Sequence, residues 1–382
     1  MQTYDAIVVG VGGMGSAAVY HLAQRGQRVL GLEQYDIPHQ QGSSHGVSRI
    51  IRLAYYEHPS YVPLLHRAYE LWRALERTAQ ERLLHITGAL NIGSETSQVF
   101  AGALKSVQAH NLAHEVLAAE AVRRRFPGYG LQAPLMALYE PQGGLLAAER
   151  CIVAHVTAAL RHGAEVHGRE TVEGWESGDA GVRVRTSRGV YQAERLVLTA
   201  GAWTHRLLSR YHGVLQPERQ VLIWMQPRLP SAFHMDTFPV FILDVEEGHF
   251  YGMPTYGIPG FKIGRFHHLE QLVDDPATVD RGFHPEDEAL LRGLVRRYFP
   301  DGEGPILSTA TCMFTNSPDG HFVIDVHPED PRVVFAGGFS GHGYKFCSVI
   351  GEILADLAES GVTQHDISLF SAARLLPSAL AK

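Results

Sequence analysis

The chain predicts an α/β fold in which a parallel-sheet lobe, assembled from discontinuous segments, accompanies a second lobe built on an antiparallel sheet. Three observations predict it. An apolar run, a small-residue helix and another apolar run follow one another within Asp5–Glu33. Short apolar runs punctuated by proline recur from about 217 to 310. A strand, a glycine loop and a helix return at Arg332–Leu357.

Asp5–Gly10 (DAIVVG) carries the continuous apolar run of a strand buried on both faces, and Met14–Gln24 has the small residues of a helix packed closely on it. Arg28–Glu33 (RVLGLE) is the next strand. The three make a βαβ unit of about 30 residues, the length of a right-handed crossover in a parallel sheet. Tyr61–Arg77 places Val62, Leu65, Tyr69, Trp72 and Leu75 at near-helical period and leads out of the first lobe. From about 80 to 149 short mixed segments with Pro127, Pro134 and Pro141 read as strands and loops of a second lobe. Ala147–Arg161 reads as a helix, and Arg195–Leu198 as a strand opening onto Thr199-Ala200-Gly201. PVFIL and FYGMP belong to an antiparallel sheet, with a helix near Glu286–Tyr298. Arg332–Gly338 is a strand before a glycine loop and a helix bearing Phe346, Ile350, Ile353 and Leu357 on one face. The expected division is 1–80, 150–216 and 311–382 for the first lobe, and 81–149 and 217–310 for the second.

Composition narrows the function classes. With 382 residues, 45% of them hydrophobic, the chain can bury two cores and leave a cleft between them. A net charge of −7 without a Lys/Arg block gives no footprint for nucleic acid. Cys151, Cys312 and Cys347 are too few and too far apart for a disulfide framework or zinc knuckle, which fits a reducing cytoplasm. Ala6–Tyr20 imitates a signal core but lacks a basic start, and no uninterrupted run of 18 apolar residues exists, so neither export nor a membrane helix is expected. The terminal Leu380-Ala381-Lys382 is not a peroxisomal address. The 22 histidines show no HExxH or clustered Cys/His spacing, so no metal is predicted.

Gly10-Val-Gly12-Gly-Met-Gly15 has the GxGxxG spacing: Gly10 permits the turn, Gly12 lets a pyrophosphate approach the backbone, and Gly15 lets helix meet strand. It follows a predicted strand, opens a predicted helix, and is followed by Glu33 at a strand end, where a carboxylate binds ribose hydroxyls. This is the full context of a Rossmann-like dinucleotide site. Glu33 does not separate FAD from NAD, since both carry an adenosine ribose. Gly337-Gly-Phe-Ser-Gly341-His-Gly343-Tyr-Lys345 is either an ordinary glycine loop or a helix start that meets the electron-rich edge of a flavin. His45-Gly-Val-Ser-Arg49-Ile-Ile-Arg52 sets two arginines three apart, on one side if the stretch is a helical turn. That pair could bind a substrate carboxylate, polarise a flavin, or sit in surface ion pairs.

These residues stand in segments that resemble the monomeric sarcosine oxidase family, which includes N-methyltryptophan oxidase. VVGVGGMGSAA, HGVSRIIRLAY, TAGAW, FYGMP, FKIG, TCMFTNSPDGHFVID and AGGFSGHGYKF follow the family's order over essentially the whole chain. The resemblance implies FAD, held in the first lobe with Ser43, Gly341 and Gly343 beside the glycine fingerprint. It places Cys312, otherwise read as a small buried hydrophobe, where the family links FAD through the cysteine sulfur. Lys262 falls where the family sets a lysine over the flavin to promote reduction of oxygen. Arg52 and Lys345 match the pair that holds the substrate carboxylate. Arg49 matches an arginine near the flavin, and His45 and Tyr251 match residues lining the same cavity.

The resemblance therefore implies oxidative demethylation of an N-methyl amino acid, giving formaldehyde and hydrogen peroxide, by a cytoplasmic monomer whose partners are the amino acid and O2. A cyclic imino-acid oxidase or amino-acid dehydrogenase is the nearest alternative. A flavin-binding module without turnover and an NAD-dependent dehydrogenase are readings of other classes. Three departures stand out. Ser44 and Val47 replace a family histidine and acid in the HHGDTR-like segment. Phe266 stands four residues after Lys262, where a family histidine is expected, with His267 one further on. Met253 replaces a common aromatic.

Overall fold

The computed structural model describes residues 3–375; Leu380-Ala381-Lys382 lies outside the described residues. The strand Thr3–Val9 is central to the first sheet. Val29–Leu32 and Gly189–Leu198 flank it in parallel, and Glu165–His167 pairs in parallel beyond the former. Val333–Gly337 adds in parallel to Leu196–Leu198, with Val323–Val326 antiparallel at the edge. The N-terminal half of Gly189–Leu198 instead turns into a meander with Gly181–Thr186 and Val172–Gly178. Helices Gly13–Gln24, Val62–Ala79, Ala148–Arg161 and Cys347–Ser360 share one apolar core with this sheet. The opposite face packs Ile7, Leu196 and Phe335 against Val182, Val184 and Tyr211. Burial on both faces is why the central strands read as continuous apolar runs.

The second sheet has eight strands in the order Ile306–Asn316, Gln216–Met225, Phe261–Arg265, Gly248–Met253, Val240–Val245, Ala89–Gly93, Met136–Glu140 and Glu115–Ala118. All pairs are antiparallel except Val240–Val245 with Ala89–Gly93. Side-chain alternation divides its two faces. Phe241, Leu243, Phe250 and Ile263 face helix Pro285–Tyr298 and an aromatic cluster that includes Tyr129, Phe238 and Phe299. Ile242, Tyr251, Met253, Cys312 and Phe314 sit together in a separate cluster with Ile50.

Four features differ from the sequence expectations. Residues 80–149 hold two helices, Gln98–Ala109 and Ala119–Arg125, among the strands; Ser97 Oγ caps the first by accepting from Phe100 N at 3.2 Å. The second sheet is mixed, because its one parallel pair joins segments far apart in sequence. Residues 311–316 belong to a strand of the second sheet, so the boundary expected at 311 falls inside an element. Ser48–Ile51 is a strand, paired with Gly144–Ala147 beside Leu84–Ile86, and not the helical turn considered for the two arginines. No helix among the described residues is long and apolar enough to cross a membrane, and none of their His, Cys, Asp and Glu side chains form a metal-holding group.

Candidate active site

The glycine fingerprint bends where its residues predict. Gly10 takes φ +88°, and a Cβ there would lie 2.6 Å from Thr199 O. A Cβ on Gly15 would lie 1.8 Å from Gly10 O, so only glycine lets the helix seat on the turn. Gly12 is the N-cap of that helix with no side-chain cap, and a Cβ on it would meet only Ser44 Oγ, at 3.6 Å. The turn thus stays open towards a cavity of about 190 Å³ whose lining includes Gly12, Gly13, Glu33, Gln34 and Ser43. Glu33 Oε2 accepts from Val11 N at 3.0 Å and Oε1 from Tyr35 N at 3.0 Å, which fixes the carboxylate at the rim with a lone pair on each oxygen left over. The cavity is lined further by Arg49, Phe314, Gly341, Gly343 and Tyr344.

A second cavity of about 50 Å³ shares Arg49, Phe314, Gly341 and Tyr344 with the first. Its remaining lining joins Arg52, His342 and Lys345 on the polar side to Ile50, Ile242, Tyr251, Met253 and Phe266, with Cys312 between. The two form one trough from Glu33 to Cys312. An elongated dinucleotide fits it: a carboxylate for ribose hydroxyls, an open helix N-terminus for pyrophosphate, and a buried thiol at the far end. These are the residues that would hold FAD.

Arg52 is 2% exposed; its Nη1 donates to Ala54 O at 2.7 Å and its Nη2 to both oxygens of Glu57 at 2.8 and 2.9 Å. Its Nε has no partner, a buried donor still to be satisfied. Lys345 Nζ donates to His342 O at 2.7 Å and lies 5.1 Å from the centre of the Tyr55 ring. Burial, reinforced by Arg52 and offset in part by Glu57, brings the Lys345 ammonium down to about 7. His342 Nδ1 meets Tyr55 OH at 2.5 Å and its Nε2 meets Gly320 O at 2.9 Å; burial holds this imidazole down at about 4.

Tyr251 packs edge-on against Phe266, ring centres 5.0 Å apart, and burial pushes its hydroxyl pKa up. Cys312 is a free thiol, 2% exposed; burial raises its pKa while Arg49, Lys262 and Arg281 oppose the rise. Arg49 is fixed by backbone carbonyls, donating to Ser48 O at 2.9 Å and Ser43 O at 2.8 Å.

Lys262 and His45 are buried and line neither cavity. Lys262 Nζ is buried and donates to Gly46 O and Ser48 O, each at 2.7 Å. Burial, then Arg49, holds its pKa well below the ordinary lysine value, with Cys312 and Glu149 acting the other way. His45 Nε2 has no partner, and burial with nearby cations keeps the ring down at about 3.

Phe266 lines the small cavity, whereas His267 turns outwards at φ +52° and meets Glu218 Oε2 at 2.7 Å. Met253 lines the same cavity and its sulfur accepts from Ser48 Oγ at 3.1 Å. Ser44 Oγ accepts from Gly13 N at 3.2 Å, tying the arginine segment to the glycine turn. Sequence reasoning missed Phe314 and Tyr344, which wall both cavities, and His342. All three sit inside the quoted segments, but an aromatic or a histidine in a glycine loop gives no sign of facing a ligand.

An FAD dependent oxidoreductase family model matches residues 5–357. The chain is 44% identical to a monomeric sarcosine oxidase of Streptomyces avermitilis over 378 residues, 98% of each chain. It is 36% identical to an N-methyl-L-tryptophan oxidase of Yersinia pestis, covering 97% of this chain and 99% of that one. Among solved structures, NikD, an unusual amino acid oxidase essential for nikkomycin biosynthesis, superposes with a TM-score of 0.85 at 26% identity over 97% of this chain and 98% of NikD. The chain belongs to the FAD-dependent oxidoreductase family, within the group that holds the monomeric sarcosine and N-methyl-L-tryptophan oxidases.

Proposed function

We propose that this protein is an FAD-dependent oxidase that oxidises a small N-methyl amino acid with O2 to an imine, which water hydrolyses, giving the primary amino acid, formaldehyde and hydrogen peroxide. The observation that carries the reading is the small cavity, where two cations, Arg52 and Lys345, face an apolar wall beside Cys312. A carboxylate suits the cations: Arg52 Nε is an unmet donor, and the Lys345 ammonium adds a point charge. The N-methyl end then lies against Ile50, Ile242, Tyr251, Met253 and Phe266, which exclude water from the oxidised carbon. At about 50 Å³ the cavity offers roughly four water-sized positions. That favours a sarcosine-sized substrate over one bearing an indole.

When bound, the flavin takes the two electrons of the amine's C–H bond and passes them to oxygen. Cys312 tethers the cofactor in this reading, and Lys262 stabilises negative charge as oxygen is reduced. The reading includes a cytoplasmic, monomeric enzyme divided into a cofactor lobe and a substrate lobe along the two eight-stranded sheets.

Acid precipitation of the purified protein tests the tether: the pellet stays yellow, and that of Cys312→Ala is colourless with the flavin in solution. Oxygen uptake and peroxide release with sarcosine, N-methyltryptophan, proline and pipecolate test the activity. Turnover of sarcosine with stoichiometric peroxide is expected; reduction of the flavin without peroxide, or faster turnover of the cyclic substrates, would overturn it.

A further inference from the structure

The segment before Arg49 is held in a conformation its residues resist. Gly46 and Val47 take φ +95° and +70° in succession, and a β-branched residue stays in that region only where its surroundings impose it. The surroundings do. Glu149, in the first turn of helix Ala148–Arg161, accepts from Gly46 N at 2.7 Å and from Val47 N at 3.0 and 3.1 Å. Val47 O accepts from Ala148 N at 2.9 Å. From the other side Lys262 Nζ donates to Gly46 O and Ser48 O.

The Gly46 oxygen and the Val47 N–H belong to one peptide group. An ammonium sits on its oxygen and a carboxylate on its N–H, so each charge polarises the peptide in the sense that strengthens the other's hydrogen bond. The ammonium needs that help. Ser48 O takes hydrogen bonds from both Lys262 and Arg49, which sets two buried or half-buried cations on one carbonyl. The charged or titratable groups facing Lys262 are Arg49 and His45 from its partner segment, Cys312 from the strand Ile306–Asn316, and Glu149. Glu149 is the carboxylate among them.

We propose that Glu149 is a positioning residue for the oxygen reaction: through the Gly46–Val47 peptide it acts as the remote counter-ion that keeps Lys262 charged and in place. The inference rests on the reading that Lys262 promotes reduction of oxygen. It is tested by stopped-flow on the FAD-loaded wild type, Glu149→Gln, Glu149→Asp and Lys262→Met. In each, anaerobic reduction by sarcosine is followed first and reoxidation by O2 across pH second. The glutamine keeps an acceptor for the Gly46 and Val47 N–H groups but removes the charge. Glu149→Gln is expected to slow reoxidation about tenfold, the worth of one pKa unit of charge stabilisation, and to move the pH midpoint of that step downwards. Reduction stays within about twofold, because an acceptor still holds the turn. Glu149→Asp, with its charge retained, recovers the midpoint. Equal slowing of both half-reactions, or an unmoved midpoint in Glu149→Gln beside a slow Lys262→Met, would overturn the inference and leave the Lys262 reading standing. Wild-type reoxidation in Lys262→Met would remove that reading and this inference with it.

Discussion

Lys345 is a residue whose charge burial alters at the small cavity. In sequence it is a lysine after a glycine loop; in the fold it is 5% exposed and its charge is held at about 7 by burial and by Arg52. The sign of the pH effect follows: below about 7 the ammonium is present to meet a carboxylate, and above it the charge is lost. KM for an amino-acid substrate is therefore expected to rise as pH climbs through about 7, read from initial rates across pH. Lys345→Met should raise KM roughly 10- to 100-fold, the worth of a charge-assisted hydrogen bond, and abolish that rise; an unchanged profile would place the carboxylate elsewhere. The roles proposed for Cys312 and Lys262 come only through the resemblance, since an isolated cysteine reads as a small hydrophobe and an isolated lysine as a surface charge. Phe266 and His267 were not legible at all. Both lie in the turn after the strand Phe261–Arg265, where His267 takes φ +52°, and no strand or helix period says which of them faces inwards.

At the scale of elements, helix Pro285–Tyr298 is tied to the second sheet through Asp287. Its carboxylate takes Arg219 Nη1 at 3.0 Å and Nη2 at 2.8 Å, His268 Nε2 at 2.8 Å, and the His284 N–H at 2.9 Å as half of a capping box. Burial alone would raise this carboxyl, but those partners hold it down at about 2. A depressed carboxylate contributes stability that is complete above its ordinary value of 3.8 and is lost as pH falls through about 2. Asp287→Ala leaves Arg219 buried without its charge partner, and should cost about 3–5 kcal/mol in urea unfolding at neutral pH. A loss under about 1 kcal/mol would show that the pair is not what anchors the helix. At the other end of the chain, Gly15→Ala drives a Cβ into Gly10 O, so the first helix must shift. Expected are a stability loss of about 1–3 kcal/mol and purified protein with little bound flavin, measured by absorbance. Both helices were legible in the sequence, the first from its small residues after the glycine turn. The two helices among residues 80–149 were not: Gln98–Ala109 carries Gly102 within it, and Ala119–Arg125, at 7 residues, is too short to show a period.

For the whole molecule the trough is the organising feature, since its walls come from the glycine turn, the Ser48–Ile51 strand, the second sheet and the Gly341–Lys345 loop. A ligand that bridges these elements stabilises them together. In Cys312→Ala, where FAD is held without a tether, stability should rise by about 2.7 kcal/mol when free FAD stands at 100 times its Kd. A melting temperature that climbs with FAD concentration is the expected readout, and one that stays flat would show that the trough does not take the cofactor.

By itself the sequence determined the α/β class, the glycine turn at Gly10, Gly12 and Gly15 with Glu33 at the end of the next strand, and most of the long helices. Each of these is a local pattern, in which spacing along the chain equals spacing in space. The tertiary structure decided the rest: the mixed second sheet, the choice of Phe266 over His267, the seating of Lys262 against the Gly46 and Ser48 carbonyls, and the clamp of Glu149 and Lys262 on one peptide. Those depend on which distant strands pair and in what register. Loop closure and burial of two opposed apolar faces decide that together, and no window of sequence contains both partners.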